Sequence, residues 1–348
     1  MTKQSLQSHR KDEHYFLAEK FYQEHARAGF DQLRFVRSAL PEVDVAEVDL
    51  HGQLGPHQTT WPIFINAMTG GSHTTRKVNA ALARIARVCQ LPMATGSGSV
   101  LLSDHDPEVR ASFTDVRKEL GNGLLLANVG VDKTPAQAQE IVAILQADML
   151  EVHINVPQEI VMPEGERNFH WYANLKAIQE QVSVPVIAKE VGFGMRQDDF
   201  TRIAETGVAA IDVGGRGGTN FAQIENVRRP HGDYSFLTDF GQTTVESLLE
   251  AEGYNGQLIA TGGVRTPLDV LKALRLGATG VGIAGLILHW LTKFGEEDAL
   301  QHLQDFLAQV RSCMVLLGAR NVAELRQVPI VYSEQLLSYA RQRGLELP

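Results

Sequence analysis

From residue 62 onward the chain repeats one pattern eight times: a short apolar run that stops at glycine or a polar residue, then a stretch with helical spacing of apolar residues. The runs are PIFINAMTGG, LPMATGSGS, GLLLANVG, DMLEVHINVPQE, VPVIAKEVG, AAIDVGGRGG, QLIATGGV and TGVGIAG, anchored at Ile65, Thr95, Ala127, Val152, Ala188, Asp212, Ala260 and Ile283. Segments between them, such as VNAALARIARVCQ and PLDVLKALRLG, are amphipathic, and Gly277 reads as a helix end. Alternating units of this kind belong to the α/β class with a parallel sheet. An open dinucleotide-binding sheet would place G-x-G-x-x-G after its first strand, where this chain has Ala67-Met68-Thr69-Gly70-Gly71. The prediction is a (β/α)8 TIM barrel over residues 62–348, preceded by an N-terminal extension over residues 1–61. Residues 217–239, after the sixth strand, show little periodicity and are read as a long loop and candidate lid.

The net charge of −9 argues against a general nucleic-acid binder, so an anionic ligand must be gripped by local devices. Cys89 and Cys313 are far apart and sit in helix-like patterns, which excludes zinc ribbons and Cys-x-x-Cys redox chemistry. The N-terminus has no apolar signal core, and the longest apolar stretch, Val281 to Leu291, is too short to span a bilayer. A soluble, cytoplasmic protein without membrane partners is expected.

Barrels carry their chemistry at the C-terminal ends of the strands and often hold phosphate after strands seven and eight. Gly262-Gly263-Val264-Arg265 and Ala284-Gly285 occupy those places and would bring backbone N–H groups close to a phosphate. In the fourth run Glu151, His153 and Asn155 alternate with apolar residues, so all three share one face, directed at the barrel interior. Glu159 follows; on spacing alone it is either a Mg²⁺ ligand or a solvated carboxylate. Lys189 ends an apolar run at the barrel mouth, as a charge stabiliser or a snorkelling rim lysine. Asn128 and the Thr95–Ser99 turn offer neutral hydrogen-bonding groups. Arg10 and Lys11, with His9 and His14 nearby, form either a solvated helix face or a basic arm that folds over a phosphorylated substrate.

Taken together, Arg10-Lys11-Asp12-Glu13-His14, Asn66-Ala67-Met68-Thr69-Gly70-Gly71, Gly96-Ser97-Gly98-Ser99, His153-Ile154-Asn155-Val156-Pro157-Gln158-Glu159 and Arg216-Gly217-Gly218-Thr219-Asn220-Phe221 resemble the type 2 isopentenyl-diphosphate isomerases. The resemblance continues through the two glycine turns and covers most of the chain. It implies interconversion of isopentenyl and dimethylallyl diphosphate with FMN, Mg²⁺ and a reductant such as NADPH. It also implies that Ala67, Met68, Thr69, Ser97, Asn128, Lys189, Thr219, Gly263, Arg265, Ala284 and Gly285 contact FMN. Arg10, Lys11, Ser97, Ser99 and Gln158 would contact substrate, His153 and Asn155 would position its diphosphate, and Glu159 would hold Mg²⁺. Gln158, His153 and Lys189 are the implied catalytic set. Gly214 is a departure, since serine is expected there in many relatives. A homotetramer or larger assembly is a further implication.

Two rivals stand beside this reading. An FMN-barrel oxidoreductase would act on a hydroxy acid or a nucleotide, and a non-catalytic flavin or phosphate binder would have no need for Gln158 and Glu159.

Overall fold

The computed structural model describes residues 6–348. Strand β1 is Leu33–Phe35, β2 Gly52–Leu54 and β3 His57–Thr59. Eight parallel strands then close a barrel in chain order: β4 Ile63–Ile65, β5 Met93–Ala94, β6 Leu125–Gly130, β7 Met149–Ile154, β8 Val186–Glu190, β9 Ala210–Asp212, β10 Gln257–Thr261 and β11 Gly280–Ile283. A last strand, β12, spans Ile330–Tyr332. Seven of the eight predicted anchors fall inside the strands; Thr95 lies one residue beyond β5.

Helices start where the sequence supplies caps. Ser72, Thr134, Thr243 and Thr266 each accept a hydrogen bond from the backbone three residues on, satisfying an N–H that the helix itself cannot. The helices bury their apolar faces against the outer side of the strands, through residues such as Leu82, Phe113, Ile141, Leu175 and Leu271. Cys89 is buried in one of these helices, and Cys313 is half-buried in another.

Inside the barrel, one step of the pleat converts an apolar floor into a polar ceiling. Phe64, Leu126, Met149, Ile187, Ala210 and Ile259 form the apolar layer, with Leu54 of β2 plugging it from below. Two residues further along the same strands stand Asn66, Asn128, Glu151, Lys189, Asp212 and Thr261, all buried. Side chains two apart point the same way, so the polar set looks toward the C-terminal mouth.

The N-terminal extension does two things. Its β2–β3 hairpin closes the far end of the barrel, where Gln257 hydrogen-bonds both backbone groups of Gly55. Its helix Leu6–Lys20 lies over the mouth. Segment 217–239 is not the aperiodic loop predicted: it contains a two-turn helix, Phe221–Arg228, and a short 3-10 turn, Ser235–Leu237. Asn220 caps that helix by accepting from Gln223 N, and two turns are too short to register as a helical period. Among the described residues no helix is long and apolar enough to cross a membrane.

Candidate active site

The strand register brings the polar ceiling together. His153, Lys189 and Asp212 stand side by side across β7, β8 and β9, and Asn128 is opposite Glu151. Lys189 Nζ donates to Asp212 Oδ2 at 2.7 Å and to Thr261 Oγ1 at 3.3 Å. Asp212 also accepts from Asn66 and from the backbone N–H of Gly214. Burial opposes the charge on Lys189, but Asp212 and Glu151 outweigh it and raise its pKa, so the ammonium is fixed.

Glu151 is fully buried, and burial pushes its carboxyl up to about 7. Asn128 Nδ2 donates to its Oε2 at 2.8 Å, whereas Oε1 has no partner. Asn128 Oδ1 in turn faces His153 Nδ1 at 2.8 Å, and burial pulls that imidazole down to about 4.

The arm helix closes the cavity from above. Lys11 Nζ donates to the carbonyl of Ser97 at 3.2 Å, and Ser97 and Ser99 share a hydroxyl hydrogen bond. Burial, helped by Arg10, lowers Lys11 to about 7. Arg10 reaches Glu164 at 3.4 Å, and its Nε is buried with no partner. A buried guanidinium N–H without an acceptor is costly, which suits a site waiting for an anion.

Beneath the arm lies a residue that the sequence did not single out. Glu225, on the helix Phe221–Arg228, is fully buried and accepts from His14 Nε2 at 2.8 Å, Gln158 Nε2 at 3.0 Å and Arg228. Burial pushes its carboxyl up, but the hydrogen bond from His14 and the charge of Arg228 bring it well below the usual range. Arg228 also pairs with Glu13 of the arm at 2.9 Å and with Glu164 at 3.2 Å. Gln158 is held at both ends, since its Oε1 accepts from Asn155 Nδ2 at 3.2 Å. Asn155 lies just past β7 rather than in the strand, and caps nothing with its side chain; its amide ties Gln158 to Glu159.

At the other side of the mouth the backbone forms a cradle that only glycine can make. Gly263 has φ +71°, and a Cβ there would lie 2.7 Å from the carbonyl oxygen of Gly217. A Cβ on Gly218 would come within 2.8 Å of Gly263 N. Gly285 opens the helix Gly285–Phe294, whose first amides point into the same cleft as Thr219, Arg265 and Ala284. These residues fit the phosphate end of an FMN, and Lys189 of the polar ceiling lines the same cleft. Gly214 is also required by shape: with φ +48°, a Cβ would meet the carbonyl of Glu190 at 1.9 Å, so the serine expected there has no room.

The predicted residues fall into two adjoining clefts that share Ala67, Met68 and Lys189. A polar cavity of about 670 Å³ takes Arg10, Lys11, Thr69, Ser97, Ser99, Asn128, His153, Asn155, Gln158 and Glu159. The glycine cleft takes Thr219, Gly263, Arg265, Ala284 and Gly285. Thr69 uses its hydroxyl on Asn79, and its carbonyl accepts from Gly96 N and Asn79 Nδ2. Glu159 accepts from Asn155 and from Glu166 N, and among the described residues no cluster of three His, Cys, Asp or Glu could hold a metal unaided. A larger cavity of about 980 Å³, between Trp171, Arg202 and Phe240, contains none of the predicted site residues.

Comparison with known proteins identifies the family. Residues 114–331 match the family model of FMN-dependent dehydrogenases. The chain is 52% identical over 342 residues to an isopentenyl-diphosphate delta-isomerase of Lacticaseibacillus casei, covering 98% of each. It is 48% identical to the enzyme of that name from Latilactobacillus sakei, covering 99% of each, and 41% identical to that of Staphylococcus aureus, covering 97% of each. Among solved structures, a mandelate oxidase with an FMN adduct superposes with a TM-score of 0.61 at 18% identity, covering 92% of each chain, which speaks for the fold alone. The chain belongs to the type 2, FMN-dependent isopentenyl-diphosphate delta-isomerase family.

Proposed function

We propose that the protein interconverts isopentenyl and dimethylallyl diphosphate, with FMN in the glycine cradle and the diphosphate beneath the arm. The observation that carries this reading is the buried, partnerless Arg10 Nε in a cavity with Lys11, Ser97, Ser99, His153 and Gln158. When bound, reduced FMN supplies the proton donor and acceptor for the allylic shift, without net redox turnover.

The chain's own residues do the rest. Moving a double bond requires a proton at one carbon and removal of another from its neighbour, so a cationic carbon forms between and water must be kept away. The arm helix, part of an extension reaching to residue 61, covers the site. Arg10 and Lys11 bind the diphosphate, and its charge restores full protonation of Lys11, so substrate binding takes up a proton near neutral pH. Gln158, locked by Glu225 and Asn155, orients the alkene end. Binding energy from the remote diphosphate is thereby spent on alignment. Lys189 places a fixed positive charge where it favours an electron-rich flavin ring. Glu159 would supply one carboxylate to a Mg²⁺ ion that helps neutralise the diphosphate. NADPH serves to keep the flavin reduced.

The test is turnover with pre-reduced flavin. Dimethylallyl diphosphate should accumulate over many turnovers without matching NADPH consumption; consumption in proportion to product overturns the non-redox account. Glu159→Gln should raise the Mg²⁺ concentration needed for half-maximal rate by at least ~10-fold, and an unchanged metal dependence rejects that assignment.

A further inference from the structure

We propose that Glu151 is a positioning residue: through the side-chain amide of Asn128 it selects which nitrogen of His153 carries the proton, and so whether that ring offers a donor to a bound diphosphate. The inference rests on His153 facing the diphosphate, and it concerns a carboxyl that no step of the proposed reaction uses.

The three side chains form a relay. Asn128 presents Nδ2 to Glu151 and Oδ1 to His153 Nδ1, at 2.8 Å each. An ionised carboxylate can only accept, so it demands the amide N–H₂. The carbonyl then faces Nδ1, which must carry the ring proton. Nε2 is left as a bare lone pair in the cavity that also holds Arg10 and Lys11, and a lone pair repels a phosphate oxygen. Among the described residues Nε2 has no hydrogen-bond partner.

Protonating Glu151 reverses every link. Its O–H donates to Asn128 Oδ1, the amide turns over, and Nδ2 donates to His153 Nδ1. The ring proton then sits on Nε2, aimed into the cavity as a donor. The ring loses one proton at Nδ1 and gains one at Nε2 from cavity water, so the net uptake is the single proton on Glu151. The neutral form also suits the surroundings better, because Glu151 Oε1 is buried without a partner, and a neutral carbonyl tolerates that better than a carboxylate does.

The charges that face these groups set the midpoint. Lys189 of β8 favours ionised Glu151, and Asp212 of β9 opposes it. Around His153, Asp132 favours a charged ring, whereas Lys11, Lys189 and Lys133 disfavour it. With Glu151 near 7 and His153 near 4, the ring stays neutral across the physiological range, so what changes is the tautomer.

The experiment uses full-length, FMN-loaded enzyme labelled with ¹⁵N-histidine, titrated without substrate from about pH 5.5 to about pH 8.5. The His153 signal is assigned by its loss in His153→Gln. In the wild type the protonated nitrogen should change from Nε2 to Nδ1 as Glu151 ionises. Glu151→Gln is neutral at every pH, and because nothing partners the Oε1 position, its NH₂ is satisfied only by donating to Asn128 Oδ1, so it should hold Nε2–H throughout. In parallel, the KM for isopentenyl diphosphate should rise about 10-fold above the midpoint in the wild type, and this component should be absent in Glu151→Gln. A wild-type tautomer that does not change, or a Glu151→Gln ring protonated at Nδ1, overturns the proposal. The wild-type titration decides alone if the variant does not fold. An unchanged KM in His153→Gln would instead remove His153 from the diphosphate site while leaving the tautomer result standing.

Discussion

Glu151 in the barrel and Glu225 under the arm are both fully buried glutamates, yet their surroundings shift the two carboxyls in opposite directions. Glu225 collects three donors from three parts of the chain: His14 of the arm, Gln158 after β7 and Arg228 of its own helix. Glu151 has one amide donor and one oxygen with nothing to bond. Burial penalises both charges equally in kind; the number and charge of the donors decides which way each carboxyl is shifted. One region thus uses a carboxylate as a clamp, and the other keeps a carboxyl between Lys189 and Asn128 that changes its charge near neutral pH.

Glu225→Ala should produce the largest effect, because it removes the buried carboxylate that joins His14, Gln158 and Arg228 and leaves the arm held mainly by the Arg228–Glu13 pair. A loss of roughly 3 kcal/mol in urea denaturation is expected, with faster proteolytic cleavage within Leu6–Lys20. Unchanged protection of the arm would show that the clamp is not what holds it. The next effect is a divergence with pH. Glu225 has a folded pKa below its unfolded value, so its contribution is full above the usual carboxylate range and is lost as pH falls. Glu151 and Glu190 are shifted the other way, to about 7 and about 8, so their contribution is full below about 4.5 and lost as pH rises through those values. Glu151→Gln should therefore flatten part of the fall in Tm between acid and alkaline pH while leaving the acid limb in place. A variant whose alkaline limb matches the wild type would mean that Glu151 is ionised in the fold. His14→Ala should have the smallest effect, about 1–2 kcal/mol, since Arg228 and Gln158 remain on Glu225; a loss equal to that of Glu225→Ala would mean that the clamp depends on His14 alone.

The barrel was legible because its strands are short apolar runs with regular punctuation, and the Glu151/His153 alternation survives intact in β7. Lys189 was visible as a charge closing an apolar run. Asp212, which holds Lys189, was read only as a strand anchor, although a carboxylate after Ala210-Ile211 was itself the available signal. Glu225 gave no such signal. Its helix reads FAQIENVR, polar enough for a solvated face, and its burial comes from an arm more than two hundred residues away in sequence. Local pattern cannot report a contact made at that distance. The same reason hides the two-turn helix in 217–239, whose single local cue is its Asn220 cap.

The pairing of β1 with β12 joins residues almost three hundred positions apart, Leu33 with Tyr332. The base of the arm is therefore anchored by a strand that is synthesised after all eight strands of the barrel. During synthesis the barrel can close and cradle its flavin while the lid's mooring does not yet exist. On the proposed function, a nascent or C-terminally clipped chain would be coloured by FMN but unable to shield an alkene from water, so colour alone would be a poor proxy for finished enzyme.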